Sequence, residues 1–305
     1  MTVWHMRDLD VVFISYDEAC ADENYRWLAE HTVRAPIRVH GVKGFHNAYL
    51  KAAEAAVTPR FITVDGDNRV RAPGFFTQSV DDRSLKDIVF SFNSRNSING
   101  LIYGNGGIKC WPKELLAHVN THENSSGGLN AIDFNHVCRY YSVGFLASDT
   151  ICGATPYHAF RAAYREAVKL SCTGKESAET WHENLRNLKS PVLNWLKIWL
   201  SVGLDAPNGI WSILGARVGL IDYWRGSFPL ESLADYAYFD SLWAVYRDAD
   251  DSDALLMANE LSSALHVMQI NSPILDHEVS EWFKNVIFQP TFAGAFDRTK
   301  PSPLP

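Results

Sequence analysis

The sequence predicts an α/β protein: a largely parallel sheet with helices on both faces, followed by a helical C-terminal region. Three observations predict it. Three short β-rich runs, VVFISY (11–16), IRVHGV (37–42) and FITV (61–64), read as strands, the first without alternation, as a strand buried on both faces should be. Helix-like segments separate them, giving a β-α-β-α-β order that favours parallel pairing. After about residue 175 the strand signal fades, and helical periodicity takes over at 177–203, 231–247, 253–270 and 276–288. The expected division is a catalytic core over 1–175 and a mainly helical region over 176–305.

The elements follow in order. Residues 22–32 read as a helix with Asp22 as its cap. Residues 44–57 form an alanine-rich helix that ends at Thr58-Pro59, because the residue before a proline is pushed out of the helical region. Further strands are expected at 88–93, 100–103 and 107–111. The polar, glycine-containing stretch 120–130 reads as a loop of the kind that forms lids. Pro156 suits the first turn of a helix over 156–171, whose apolar face is Phe160, Ala163, Tyr164, Ala167 and Leu170. The proline-rich tail 299–305 is expected to fray.

Composition bounds the class. The chain has 305 residues, 47% hydrophobic and 21% charged, which excludes a disordered or collagen-like polymer. The formal net charge of -7 argues against a nucleic-acid partner only until it is mapped. Residues 231–281 carry eleven acidic residues and one base, Arg247, so the remainder is slightly basic. The five cysteines are odd in number and widely spaced, without CxxC, which fits free thiols in a reducing cytoplasm. The N-terminal MTVWHMRDLD has charges where a signal peptide has an apolar run, and Lys197 and Arg217 interrupt the most apolar later stretches. No membrane association and no protein partner are inferred.

The strongest chemical signal is VDGD, where Asp65 and Asp67 close an apolar strand. Carboxylates at i and i+2 in extended geometry project to one side. At the carboxyl edge of a parallel sheet they would face a ligand crevice, and their hard oxygens suit Mg²⁺ or Mn²⁺. Asp-Gly is also a common turn dipeptide, so a plain turn stays open on spacing alone.

Strand, helix, strand, helix, strand and then DxD resembles the nucleotide-sugar-binding half of GT-A glycosyltransferases. The segments 94–116 (SRNSINGLIYGNGGIKCWPKELL), 155–170 (TPYHAFRAAYREAVKL) and 196–220 (LKIWLSVGLDAPNGIWSILGARVGL) resemble bacteriophage DNA-hydroxymethylpyrimidine glycosyltransferases, relatives of the base J-glucosyltransferase-like family. The resemblance runs from about residue 11 to about 220, and residues 231–300 match nothing in it. It implies a GT-A-like mixed, mostly parallel sheet with a Rossmann-like nucleotide-sugar-binding core. It also implies a UDP-sugar donor on Mn²⁺ or Mg²⁺ held by Asp65 and Asp67, and a hydroxymethylated pyrimidine in DNA as acceptor. Ser15, Tyr16 and Asp17 would meet the nucleobase, and Gly41, Lys43, Gly44 and Asn47 would lie against the nucleotide.

Other residues could serve the same chemistry. Gly106 and Gly107 beside Asn105 allow close backbone approach to a donor sugar, or mark an ordinary hairpin; Lys109 could reach a phosphate. Arg161, Arg165 and Lys169 recur every four residues and make one cationic stripe on their helix, or pair with Glu166. With Arg95, Arg161 and Arg165 are the expected DNA contacts. Glu166, Asp133 and His158 are candidates for the base that takes the acceptor proton if configuration inverts; a retaining reaction needs none. Trp195, Trp199 and Trp211 are core aromatics more often than stacking platforms. A glycosyltransferase acting on a glycan, lipid or small molecule, and a non-catalytic nucleotide-binding module, remain alternatives.

Overall fold

The computed structural model describes residues 3–81, 87–103, 107–116, 118, 138–172, 188, 190–225, 230–286 and 294–296. The expectations for Gly106, Asp133, the 120–130 loop and the 299–305 tail lie outside the described residues. The chain divides into two units: Met1–Asn96, Ile102–Ile151 and Gln289–Pro305 in the first, Ser97–Leu101 and Cys152–Phe288 in the second. The helix at 156–171, expected in the core, belongs to the second.

A nine-stranded sheet organises the first unit. The three expected parallel strands form where the apolar runs stand: β2 (Asp10–Ser15), β3 (Ile37–His40) and β4 (Arg60–Asp65). β1 (Val3–His5) forms a separate two-stranded ribbon with β6 (Ser79–Asp81). β5 (Asn68–Val70), β7 (Val89–Asn96), β8 (Ile102–Tyr103), β9 (Ile108–Pro112), β10 (Tyr140–Thr150) and β11 (Gly294–Phe296) complete the main sheet, and the short helix α3 (Lys113–Leu116) follows β9. The order is β11-β10-β7-β9-β4-β2-β3, with β5 on β10 and β8 on β7.

The sheet is mixed rather than mostly parallel. Among the described residues, β2–β3, β2–β4 and β7–β10 pair in parallel, and every other pairing in it is antiparallel. Connection length explains the split. Parallel neighbours need a long crossover, and α1 (Ala21–His31) and α2 (Phe45–Ala55) supply it between β2, β3 and β4. The short link after β7 instead turns the chain back, and β8 and β9 both run antiparallel to β7 in the same direction.

Both faces of the sheet are covered, as the unalternating run at 11–16 requires. Val11, Phe13, Ile62, Val64, Phe90 and Phe92 pack with Leu28 of α1. Val12, Phe61, Val89 and Trp111 pack with Tyr49, Ala52 and Ala53 of α2. Asp22 does not cap α1: the cap position is Cys20, and Asp22 is paired with Arg38 at 2.6 Å. The sequence reading passed over β10, whose serines, glycine and terminal Asp149-Thr150 hide a long strand with irregular register between Val143 and Ser148.

The second unit contains α4 (Pro156–Ser171), α5 (Ser190–Trp199), α6 (Gly209–Trp224), α7 (Tyr236–Trp243), α8 (Asp251–Glu260), α9 (Ser262–Val267) and α10 (His277–Val286). α4 matches its predicted span; Thr155 caps it by accepting from the His158 backbone N–H at 3.2 Å. α6 escaped the periodicity analysis because Gly209–Ile221 are all buried, so no polar face marks it. It meets α4 through glycines. A Cβ at Gly215 would collide with the Phe160 carbonyl oxygen, and one at Gly219 would sit 2.6 Å from that of Tyr164. Trp199 and Trp211 are buried core residues.

Candidate functional site

β2 and β4 run side by side with Ile14 opposite Asp65, and β3 lies on the other side of β2. The chain therefore leaves β2, adds β3 on one flank and returns to add β4 on the other. At the carboxyl ends of β2 and β4 the two crossovers part, which is where open α/β sheets form ligand crevices. Ser15 ends β2 and Asp65 ends β4.

The β4–β5 turn carrying Asp65, Gly66 and Asp67 is anchored through its backbone. Asp65 N–H donates to the Gly107 carbonyl at 2.9 Å, and Ile151 N–H donates to that of Asp67 at 2.7 Å. The buried Asn24 amide donates to the Gly66 carbonyl at 3.0 Å. Both aspartates are half-buried, and each accepts a protein hydrogen bond. Tyr49, on α2, gives its hydroxyl proton to Asp65 Oδ1 at 3.0 Å. Its ring stacks on Phe45 at 4.1 Å and meets the edge of Trp111 at 5.4 Å. Asn68 Nδ2 donates to Asp67 Oδ1 at 2.6 Å.

A third carboxylate joins them. Glu18 Oε2 accepts from the Tyr16 backbone N–H at 2.8 Å and lies so near Gly66 that a Cβ there would come within 2.6 Å of it. Gly107 has a similar role: a Cβ would run into the Asn68 amide and come within 2.8 Å of Asp65 Cβ. Its glycine therefore marks a real close approach of β9 to the carboxylate turn.

Electrostatics follow the crowding of negative charge. Burial, then the charges of Asp65 and Glu18, push the Asp67 carboxyl up to about 7, against the hydrogen bond from Asn68. Burial, with Asp65 and Asp17 adding to it, also raises Glu18. The nearby Cys20 thiol is pushed up to about 11, chiefly by burial and then by Asp67.

Among the described residues, no three His, Cys, Asp or Glu side chains form a ready metal cluster. The donor set on the turn still fits a hard cation. Asp65 and Asp67 offer carboxylate oxygens with Glu18 alongside, and Mg²⁺ usually takes only one or two protein carboxylates, leaving the rest to phosphate and water.

The remaining predicted residues fall as follows. Ser15 is 3% exposed; its Oγ accepts from Arg38 Nε at 3.2 Å and lies 3.0 Å from His40 Nδ1. Tyr16, Asp17, Lys43 and Asn47 are exposed, and Asn47 Nδ2 donates to the Lys43 carbonyl at 3.2 Å. Lys109 is buried in β9 opposite Thr63, and strand alternation puts both on the face of the sheet that carries Asp65. Arg95 is half-buried on β7, opposite Asp149 of β10.

The other candidates belong to the second unit. Arg161 lies with its guanidinium 3.9 Å from the Tyr236 ring centroid, a cation–π contact. Arg165 is half-buried on the same helix. Glu166 is buried and paired with Lys169 at 2.8 Å, and His158 Nδ1 lies 2.7 Å from Thr155 Oγ1. The structure thus gathers Ser15, Asp65, Asp67, Gly107 and Lys109 in the first unit. Glu18, Tyr49 and Asn68 stand at the carboxylate turn too, and none of them was expected there from the sequence. Asn68 had one available signal, its place directly after DGD; Tyr49 and Glu18 had none.

Among the described residues no helix is long and apolar enough to cross a membrane, and all five cysteines are free thiols. No protein-family model matches the chain, and no curated protein matches it. Among solved structures, residues 1–349 of S. aureus TarS resemble it at 10% identity and a TM-score of 0.29, over 79% of this chain and 92% of that one. A likeness at that TM-score decides neither fold nor activity.

Proposed function

We propose that the chain is a metal-dependent glycosyltransferase. It takes the sugar from a UDP-sugar and passes it to the hydroxyl of a 5-hydroxymethylpyrimidine in DNA. One observation supports the donor half above all: Asp65 and Asp67 stand at the carboxyl end of β4, next to the end of β2 where the sheet order reverses. The acceptor half draws its support from the sequence resemblance over 94–116, 155–170 and 196–220.

In this reading Ser15 and the loop after it bind the nucleotide. Asp65 and Asp67 hold Mn²⁺ or Mg²⁺. The cation, when bound, supplies Lewis-acid stabilisation of charge on the departing diphosphate. Gly107 lets the Asn68 amide and Asp65 pack closely against the backbone and so helps to set the carboxylate turn. Arg95, Arg161 and Arg165 would contribute positive charge toward DNA phosphates, an attraction weakened by salt.

The test is direct. Duplex DNA containing 5-hydroxymethylcytosine or 5-hydroxymethyluracil is incubated with UDP-sugars and Mn²⁺ or Mg²⁺, digested to nucleosides and weighed by mass spectrometry. A sugar added to the modified nucleoside, lost in Asp67→Ala and with chelator, is the expected result. Transfer to a glycan or small molecule with none to DNA would overturn the acceptor assignment. Absence of donor turnover with every sugar nucleotide would overturn the enzyme assignment itself.

A further inference from the structure

We propose that Asn68 is a positioning residue. It holds Asp67 through Oδ1 and so leaves Oδ2 as the oxygen presented to the divalent cation. The inference rests on the metal reading above and deepens it.

The geometry fixes the Asn68 side chain from behind. Its carbonyl Oδ1 accepts from Ser148 Oγ at 2.8 Å, from Thr150 Oγ1 at 3.1 Å and from Ser94 Oγ at 3.4 Å. The hydroxyl oxygens also lie against one another, Ser148 Oγ 3.0 Å from Ser94 Oγ and Ser94 Oγ 2.6 Å from Thr150 Oγ1, so each hydroxyl's single proton is shared between Asn68 Oδ1 and a neighbouring hydroxyl. Asn68 is 2% exposed, Ser94 6% and Ser148 0%, so water does not compete for the two serine bonds. A flipped amide would turn its carbonyl toward the Asp67 carboxylate, acceptor against acceptor. The amide N–H therefore faces Asp67, at 2.6 Å.

The consequence is chemical. A carboxylate free to rotate can offer either oxygen or both. One whose Oδ1 is tied by a rigid donor offers the other in a set direction. Residues that orient a metal ligand in this way typically change metal affinity by about 10–100-fold when removed. Ser148 never touches Asp67 in the hydrogen-bond network, yet it should act on Asp67 through Asn68.

The experiment is a Mn²⁺ titration of the metal-free full chain, followed by the electron paramagnetic resonance signal of free Mn²⁺. Wild type is compared with Asn68→Ala, Ser148→Ala and Ser142→Ala; Ser142 is another buried serine of β10, 2% exposed and opposite Ser91. Expected are about tenfold weaker binding for Asn68→Ala, about threefold weaker for Ser148→Ala, and no change for Ser142→Ala. If Asn68→Ala fails to fold, Ser148→Ala carries the same decision. Tight wild-type binding with unchanged affinity in Asn68→Ala or Ser148→Ala would overturn the positioning role alone, as would an equal loss in Ser142→Ala. No Mn²⁺ binding by wild type would overturn the metal reading and this inference together.

Discussion

Replacing Arg217 with methionine should destabilise the second unit by about 3 kcal/mol. Arg217 is fully buried in α6. Its guanidinium donates to the Leu200 carbonyl from Nε at 3.0 Å and from Nη2 at 2.9 Å, and to those of Ala258 at 2.7 Å and Ser272 at 2.6 Å. Nη1 also reaches Ser262 Oγ at 2.8 Å. One side chain thus satisfies three backbone carbonyls from separate stretches of chain. Methionine fills similar volume and donates nothing. Three orphaned carbonyls at about 2 kcal/mol each cost about 6 kcal/mol. Removing the charge returns part of that. Burial brings the guanidinium down to about 10 from 12.5, equivalent to about 3 kcal/mol against the charged form. The difference is the predicted loss. Urea unfolding of wild type and Arg217→Met at 25 °C, followed by tryptophan fluorescence, measures it. A loss below about 1 kcal/mol, or a gain, would refute the reasoning, because it would mean the carbonyls find water or the charge costs more than its bonds return.

Four further outcomes are expected. Gly219→Ala should cost about 1–3 kcal/mol in the same unfolding assay, although alanine is the better helix former, because its Cβ meets the Tyr164 carbonyl 2.6 Å away. Gly107→Ala should lower donor turnover, since its Cβ displaces the Asn68 amide or Asp65; unchanged turnover would show that the close approach of β9 is dispensable. Asp67 has a folded-state carboxyl raised to about 7 from 3.8, so the folded protein holds a proton that the unfolded chain releases. Its contribution to metal-free stability should therefore fall as pH rises from about 4 to about 7 and level off above, and Asp67→Asn should remove that slope in denaturation curves recorded with chelator. Affinity for duplex DNA, measured by fluorescence anisotropy, should weaken steeply as salt rises; a salt-independent constant would count against phosphate contacts.

Much of the first unit's sheet was legible in the chain because the signals are local. Runs of Val, Ile and Phe between polar segments give β2, β3 and β4 directly, and Pro156 marks the first turn of α4 through its fixed φ. The same locality explains the misses. β10 has no apolar run of its own and becomes a strand by pairing with β7, β5 and β11. α6 lacks a polar face because other elements cover it all round. Asp65 and Asp67 stood out as a motif, but Tyr49, Asn68 and Glu18 only matter once α2, β10 and the β2 loop come against the turn.

The sequence by itself determined where β2, β3, β4 and α4 lie, that Asp65 and Asp67 close a strand, and that acidity collects in residues 231–281. Those are properties of neighbours in the chain, set by propensity, capping and spacing. Only the tertiary structure decided the mixed direction of the sheet, the reversal point between β2 and β4, and the donors that tie one oxygen of each aspartate. The physical reason is range. A hydrogen bond from Tyr49 to Asp65, or from Ser148 to Asn68, joins residues that no local pattern relates, and it exists only once burial has brought their elements together.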